Sequence, residues 1–301
     1  MSFRTDTLEI SLSGGLRWAS DLFELTKPRL VLMVLITTCV GYYLGSGEVL
    51  AYFPLVYTLI GTALAAGGTL ALNEFIERGT DACMERTRHR PLPEGRVQPV
   101  EALIFGIICT IAGLMLLVVT ANFLSAFITA LIVVSYLFLY TPLKQKTPLC
   151  GLVGAFPGAL PPMIGWAAAR GELGLEAWIL FGMMFFWQMP HSLAIARLYR
   201  DDFARAKIQF LPVVDPDGRR TGRQVVEYTV ALLVVSLLPS FFGLAGWLYG
   251  TVAFLLGTAF LACGISLAKC QTLVTARRLL FASLIYLPVI LLVMAMDRVL
   301  I

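Results

Sequence analysis

Nine long apolar runs dominate the sequence, around 29–46, 53–74, 101–120, 123–141, 150–169, 177–197, 226–246, 248–268 and 279–297. Each is close to the ~20 residues that carry a helix across a bilayer. In lipid, backbone N–H and C=O groups must be satisfied within the spanning segment or in a closed barrel. Runs of this length without strict alternation satisfy them as α-helices. Composition narrows the class further: 58% of the 301 residues are hydrophobic and 14% charged, against about 25% charged in soluble domains. A soluble globule, a disordered chain, a coiled coil and a nucleic-acid-binding domain are therefore excluded. The expected fold is an all-α integral membrane protein with nine transmembrane helices. Residues 1–28 form an N-terminal segment and 29–301 a single polytopic domain. The charges before the first run, with no small-residue cleavage site after it, argue against a signal peptide. Residues 16–26 fit either a short amphipathic surface helix or an unstructured tail.

The placement of the cations sets the expected orientation. With the N-terminus inside, all but Arg170 and Arg298 of the 23 lysines and arginines fall on one side. That is the positive-inside pattern of a chain with its N-terminus cytoplasmic and its C-terminus outside. The turns between the third and fourth runs and between the seventh and eighth are short, which predicts antiparallel hairpins. Two inside segments, 75–100 and 198–225, are long and dense in charge, so function should concentrate on that face. The six cysteines show no CxxC or metal-ligand spacing, which argues against a disulfide framework or a zinc site.

The first polar cluster starts where the second run ends. Asn73, Glu77 and Asp81 are spaced i, i+4, i+8, which puts three oxygen-bearing side chains on one helix face at steps of ~6 Å. Such a ladder suits Mg²⁺, which takes oxygen ligands and shares them with substrate phosphates. A solvated helix end with charge pairs would show the same spacing. Arg86, Arg88 and Arg90 follow and can act as forks for phosphate oxygens, while anchoring beside lipid headgroups explains part of the run. The second cluster, Tyr199-Arg200-Asp201-Asp202-Phe203-Ala204-Arg205, closes the sixth run on the same side. It reads either as the second acidic end of a diphosphate site or as a local charge network. Tyr140 and Lys144 place an aromatic ring and a cation on a third connection. His191, inside the sixth run, is a functional candidate because intramembrane ionisable groups are costly; a core histidine bonded to a neighbouring carbonyl is the alternative. His89, in the basic loop, reads as solvated.

These residues resemble the UbiA-type intramembrane prenyltransferases. The blocks Met84-Glu85-Arg86-Thr87-Arg88-His89-Arg90-Pro91-Leu92-Pro93, Tyr140-Thr141-Pro142-Leu143-Lys144, Phe186-Trp187-Gln188-Met189-Pro190-His191 and Tyr199-Arg200-Asp201-Asp202-Phe203 are similar to its haem-modifying branch over about residues 20 to 298. The resemblance implies a UbiA-type helical bundle in a bacterial-type inner membrane. It also implies a reaction in which Mg²⁺-assisted ionisation of farnesyl diphosphate alkylates a vinyl group of haem b and water adds as a hydroxyl. Carried over residue by residue, Asn73, Glu77, Asp81 and Asp202 are metal ligands and catalytic, with His191 also catalytic. Arg86, Arg90, Lys144, Tyr140, Tyr199, Arg200 and Arg205 bind substrate. Partners implied are the two substrates, the lipid bilayer and haem A synthase. Candidates for an aromatic wall around the allylic cation are Phe185, Phe186, Trp187, Tyr140 and Trp166. The chain departs from the pattern at Glu77, where the superfamily usually has Asp, and at Tyr199 and Phe203, where a second DxxxD motif would have its aspartates. Lys207 and Gln209-Phe210 replace the more usual Gly and Pro-Met. A sister enzyme acting on a quinone precursor is the enzymatic alternative. A secondary transporter fits less well, since the two acidic clusters share one orientation rather than an inverted one.

Overall fold

The computed structural model describes residues 15–299. Its first helix, α1, covers 15–25 and decides the reading of 16–26 in favour of a helix. The reason is packing: Leu22 and Leu25 are buried against Ala71, Leu92, Val97 and Ala102. On its polar side Asp21 and Glu24 pair with Arg96, and Trp18 donates Nε1–H to Glu101. Lys27 then takes a left-handed backbone, φ 51°, and Pro28 opens the first long helix.

Among the described residues nine helices are long and apolar enough to cross a membrane, at the nine expected places. They are α2 (Pro28–Gly45), α3 (Tyr52–Asp81), α4 (Pro99–Thr120), the composite Phe123–Leu143, the composite Cys150–Arg170, α9 (Leu175–Leu198), α12 (Arg219–Phe241), α13 (Trp247–Lys269) and α14 (Leu273–Met296). The first composite consists of α5 (Phe123–Val134), a π-helical turn Ser135–Tyr140 and α6 (Thr141–Leu143). The second consists of α7 (Cys150–Ala159) and α8 (Pro161–Arg170), separated at Leu160 where Pro161 and Pro162 supply no backbone N–H. Two short helices, α10 (Arg200–Arg205) and α11 (Leu211–Val214), follow α9.

Several helices outrun their apolar stretches. α3 continues past residue 74 to Asp81, and α12 and α14 start at Arg219 and Leu273 rather than at 226 and 279. Apolarity reports where lipid ends; the helical hydrogen-bond ladder continues into the polar zone. The extension of α3 keeps the expected ligands Asn73, Glu77 and Asp81 on one rigid element. Both expected hairpins form, with α4 and α5 joined by Ala121-Asn122 and α12 packed on α13 across residues 242–246.

Without water to expel, helices in lipid associate through close van der Waals packing, which favours small residues at crossings. Gly165 of α8 lies so near α2 that a Cβ there would sit 1.9 Å from the Thr38 carbonyl oxygen, and one on Gly113 of α4 would meet the Ala65 amide of α3 at 2.4 Å. α2 packs on α3 and α8, α3 on α5, α5 on α7, α7 on α9, α9 on α12 and α14, and α14 back on α2. These contacts close a ring around a central cavity of about 610 Å³. At the end of the bundle away from the charged loops, Arg170 donates Nε–H to the Gly45 carbonyl at 2.9 Å, and Arg298 donates to Ser46 and Gly47. The two cations that break the charge asymmetry thus satisfy orphan carbonyls at the C-terminus of α2.

Candidate active site

Buried charge at the loop-rich end of α3 is the starting point. Asn73, Glu74 and Asp81 are all at most 2% exposed, a placement tolerated only with partners. Lys27 supplies the first: its Nζ donates to Asn73 Oδ1 at 3.2 Å and lies 3.5 Å from Glu74 Oε1. Arg90, folded back from the basic loop, pairs with Asp81 at 2.7 Å and with Glu74 at 3.5 Å. Lys144 reaches Glu77 at 2.7 Å and lies 4.5 Å from the centre of the Tyr140 ring. The Asn73 amide donates to Thr141 Oγ1 at 3.1 Å, and Thr141 donates to the Tyr136 carbonyl at 2.8 Å. One hydroxyl therefore fixes both the amide orientation and the π-helical turn. Burial pushes Lys27 down to about 8, with Arg90 adding to the effect and Glu74 opposing it. Burial also opposes the charge on Lys144, but Tyr140 and Glu77 outweigh it and hold this ammonium above its usual range.

The second cluster sits on α10, a separate helix after a break at Tyr199, rather than on the end of the sixth span. Asp202 is 9% exposed, accepts from the Glu85 amide at 3.4 Å and pairs with Arg205. Arg86 lies over the rings of Tyr199 and Phe203, at 5.3 and 4.9 Å from their centroids. The loop after α3 is pinned on α9 to α11 by Met84, packed with Ala196, Phe203 and Ile208. The fold thus brings the two acidic clusters to one end of the bundle. Arg200 is half-buried and forms no ion pair with a described residue. Lys207 adopts φ 56°, and the Ile208 and Lys207 amides return to the Phe203 and Ala204 carbonyls at 2.9 and 3.0 Å. That is a Schellman turn made with lysine where glycine is favoured. The Gln209 amide then bonds the Lys144 carbonyl at 2.7 Å, tying this loop to the third connection.

Behind the charges lies the cavity, lined mostly by apolar groups of α2, α3, α5, α7 and α9. Tyr136, Tyr140, Trp187 and Phe210 supply its aromatic lining. Three expected wall residues do not. Trp166 is 1% exposed in the core, Phe185 stacks with Phe181, and Phe186 packs on Tyr228. The α-helical period explains it: Met184, Trp187, Gln188 and His191 follow i, i+3, i+4, i+7 and share the cavity face, while residues 185 and 186 point elsewhere. His191 stacks on Trp187, centroids 4.9 Å apart, and its Nδ1 is 2.8 Å from Ser283 Oγ of α14.

Comparison with known proteins identifies the family of the chain. The model of the UbiA prenyltransferase family matches residues 34–285. The chain belongs to the UbiA prenyltransferase family. Among its relatives is a protoheme IX farnesyltransferase of Solibacter usitatus, 48% identical and covering 92% of this chain and 98% of the relative. Another is the protoheme IX farnesyltransferase of Koribacter versatilis, 40% identical and covering 99% of each chain. A solved structure of digeranylgeranylglyceryl phosphate synthase superposes with TM-score 0.79 at 18% identity, covering 93% of this chain and 98% of the other. A UbiA homologue of Archaeoglobus fulgidus bound to GPP and Mg²⁺ gives TM-score 0.69 at 13% identity, covering 91% and 99%. The bundle is thus the UbiA fold.

Within this UbiA fold the donor chemistry fits a divalent cation. Asn73, Glu77, Asp81 and Asp202 offer oxygen only, and Glu74 Oε2 is buried without a hydrogen-bond partner among the described residues. Among the described residues no three His, Cys, Asp or Glu side chains are grouped so as to hold a metal ion by themselves. Mg²⁺ needs only one or two protein carboxylates when waters and substrate phosphates complete its ligands, so the oxygen donors are what fit it. Sequence reasoning passed over Glu74 and Lys27. Glu74 is seven residues before Asp81, two helical turns along the same face, so that spacing was the available signal. Lys27 had none, because only tertiary contact turns an anchoring cation into a partner of Asn73.

Proposed function

We propose that the protein transfers the farnesyl group of farnesyl diphosphate to a vinyl group of haem b. The observation that carries this reading is a buried patch of alternating charge opening on a mostly apolar, aromatic-walled cavity of about 610 Å³. The near full-length likeness to two protoheme IX farnesyltransferases supports the acceptor. Lys27, Arg90 and Lys144 face Glu74, Glu77 and Asp81 in close balance. A diphosphate entering with a metal ion therefore brings its charge and its counter-charge together. Asn73, Glu77, Asp81 and Asp202 would hold Mg²⁺, which stabilises the negative charge growing on the departing diphosphate.

The residues of the chain do the rest. Arg86 and Arg90 hold phosphate oxygens, and Lys144 meets the leaving group beside Tyr140. When the C–O bond breaks, its electron pair leaves with diphosphate. The allylic cation is then faced by Tyr136, Tyr140 and Trp187, whose ring faces attract positive charge. The vinyl group supplies the electrons of the new C–C bond; water adds at the resulting cation and releases a proton. The product is a hydroxyfarnesyl haem for haem A synthase to use. The cation asymmetry supports placing this face in the cytoplasm of a bacterial cell, at the inner membrane.

Haems extracted from cells with and without the protein, resolved by chromatography and mass, test the assignment. A farnesyl-bearing haem appearing only with the protein is the expected result. Purified protein that prenylates 4-hydroxybenzoate but not haem b would overturn it.

A further inference from the structure

Ser283 settles a chemical question about His191 that the sequence leaves open. Its hydroxyl has one proton, and that proton is committed: Ser283 Oγ donates to the Leu280 carbonyl at 2.6 Å. The 2.8 Å contact between Ser283 Oγ and His191 Nδ1 must then be donated by the imidazole. His191 is therefore the Nδ1–H tautomer, with its lone pair on Nε2. No described residue bonds Nε2, and His191 lines the cavity, so this lone pair opens to the substrate space.

The ring is also held in plane. Trp187 lies against it at 21° between planes, and Trp187 itself donates Nε1–H to the Ser283 carbonyl at 2.9 Å. One residue of α14 thus positions two rings of α9, one through its side chain and one through its backbone. An imidazole whose distal nitrogen donates to a fixed acceptor while the other nitrogen faces a cavity is the usual arrangement of a metal-ligating histidine.

Building on the proposed haem acceptor, we infer that Ser283 is a positioning residue that presents His191 Nε2 as an axial ligand to the iron of the bound haem. Ligation at this point would seat the macrocycle against the aromatic wall, with the porphyrin edge free to meet the allylic cation.

The test uses the full-length protein in detergent, loaded with haem b, and compares wild type with His191→Ala, Ser283→Ala and Ser283→Thr. Visible spectra of the ferric and ferrous forms, haem affinity, thermal midpoint and farnesylated product are read together. An imidazole-type axial ligand in wild type, lost in His191→Ala, is expected. Ser283→Ala should shift that spectrum and weaken haem binding roughly 10-fold, and Ser283→Thr, which keeps the hydroxyl, should restore both. Superimposable spectra of wild type and His191→Ala would overturn iron ligation. A Ser283→Ala protein that only melts earlier, with spectrum and affinity of wild type, would reduce Ser283 to packing and overturn the inference. The two readings fail separately. Histidine-ligated haem without farnesylated product sinks the transferase assignment alone, and product formed without ligation sinks only this one.

Discussion

Tyr199 and Phe203 stand where a regular second DxxxD motif would carry aspartates, and both rings lie under the Arg86 guanidinium. In place of those carboxylates the two rings form a cation–π seat for Arg86, the fork proposed to hold phosphate oxygens. In the proposed site, Asp202 is then the carboxylate left on this side to hold the metal. Asp81→Asn and Asp202→Asn should each lower kcat/KM for farnesyl diphosphate by about 10²–10³-fold, the usual loss for one group that stabilises developing charge. Because Asp81 is buried against Arg90, the rates are compared per folded molecule. Initial rates against Mg²⁺ concentration check this, and near-normal turnover of Asp81→Asn at limiting Mg²⁺ would remove Asp81 from the metal set. Glu77→Asp keeps its carboxylate and should stay active. Lys207 has a different weakness, a left-handed φ of 56° on a residue with a Cβ. Lys207→Gly relieves that strain at some cost in chain entropy. It should stabilise the protein by about 0.5–1 kcal/mol, seen as a higher melting temperature in detergent.

At the scale of elements, α3 and the composite fourth span do most to build the site. α3 runs unbroken for 30 residues, so one rigid rod carries a lipid-facing half and an acidic half. The π-helical turn Ser135–Tyr140 rotates the fourth span just where Tyr136 and Tyr140 meet the cavity, and Thr141 ties that turn to Asn73. Such π insertions collect at functional sites because the extra residue re-aims side chains without ending the helix. The crossing of α2 and α8 tolerates no added atom at Gly165, whose Cβ would stand 1.9 Å from a backbone oxygen. Gly165→Ala should therefore separate the two helices and reduce the yield of monodisperse protein in size-exclusion chromatography. Gly47→Ala, with open space around it, is the control that should behave as wild type.

Across the whole molecule, orientation is the property most open to a direct check. A reporter fused after Lys146 should be cytoplasmic and one after Ile301 external, as the cation asymmetry requires; finding both on one side would break the nine-span topology. Apolar length and charge placement are local in sequence, so fold class, span number and the charge-rich end of the bundle are legible in the order of residues alone. The acidic ladder is legible for the same reason, since its i, i+4, i+8 spacing becomes a face on any helix. Partner identity is not. Lys27 to Asn73, Arg90 to Glu74, Lys144 to Glu77 and His191 to Ser283 join residues up to 92 apart in the chain. Nor is the choice of aromatic wall, since helix rotation buries Trp166 and turns Phe185 and Phe186 away. A residue's type and its near neighbours decide which element it joins, but which charge it neutralises and which nitrogen it offers depend on how separate helices are rotated and packed. Those choices exist only once the bundle has closed around its cavity.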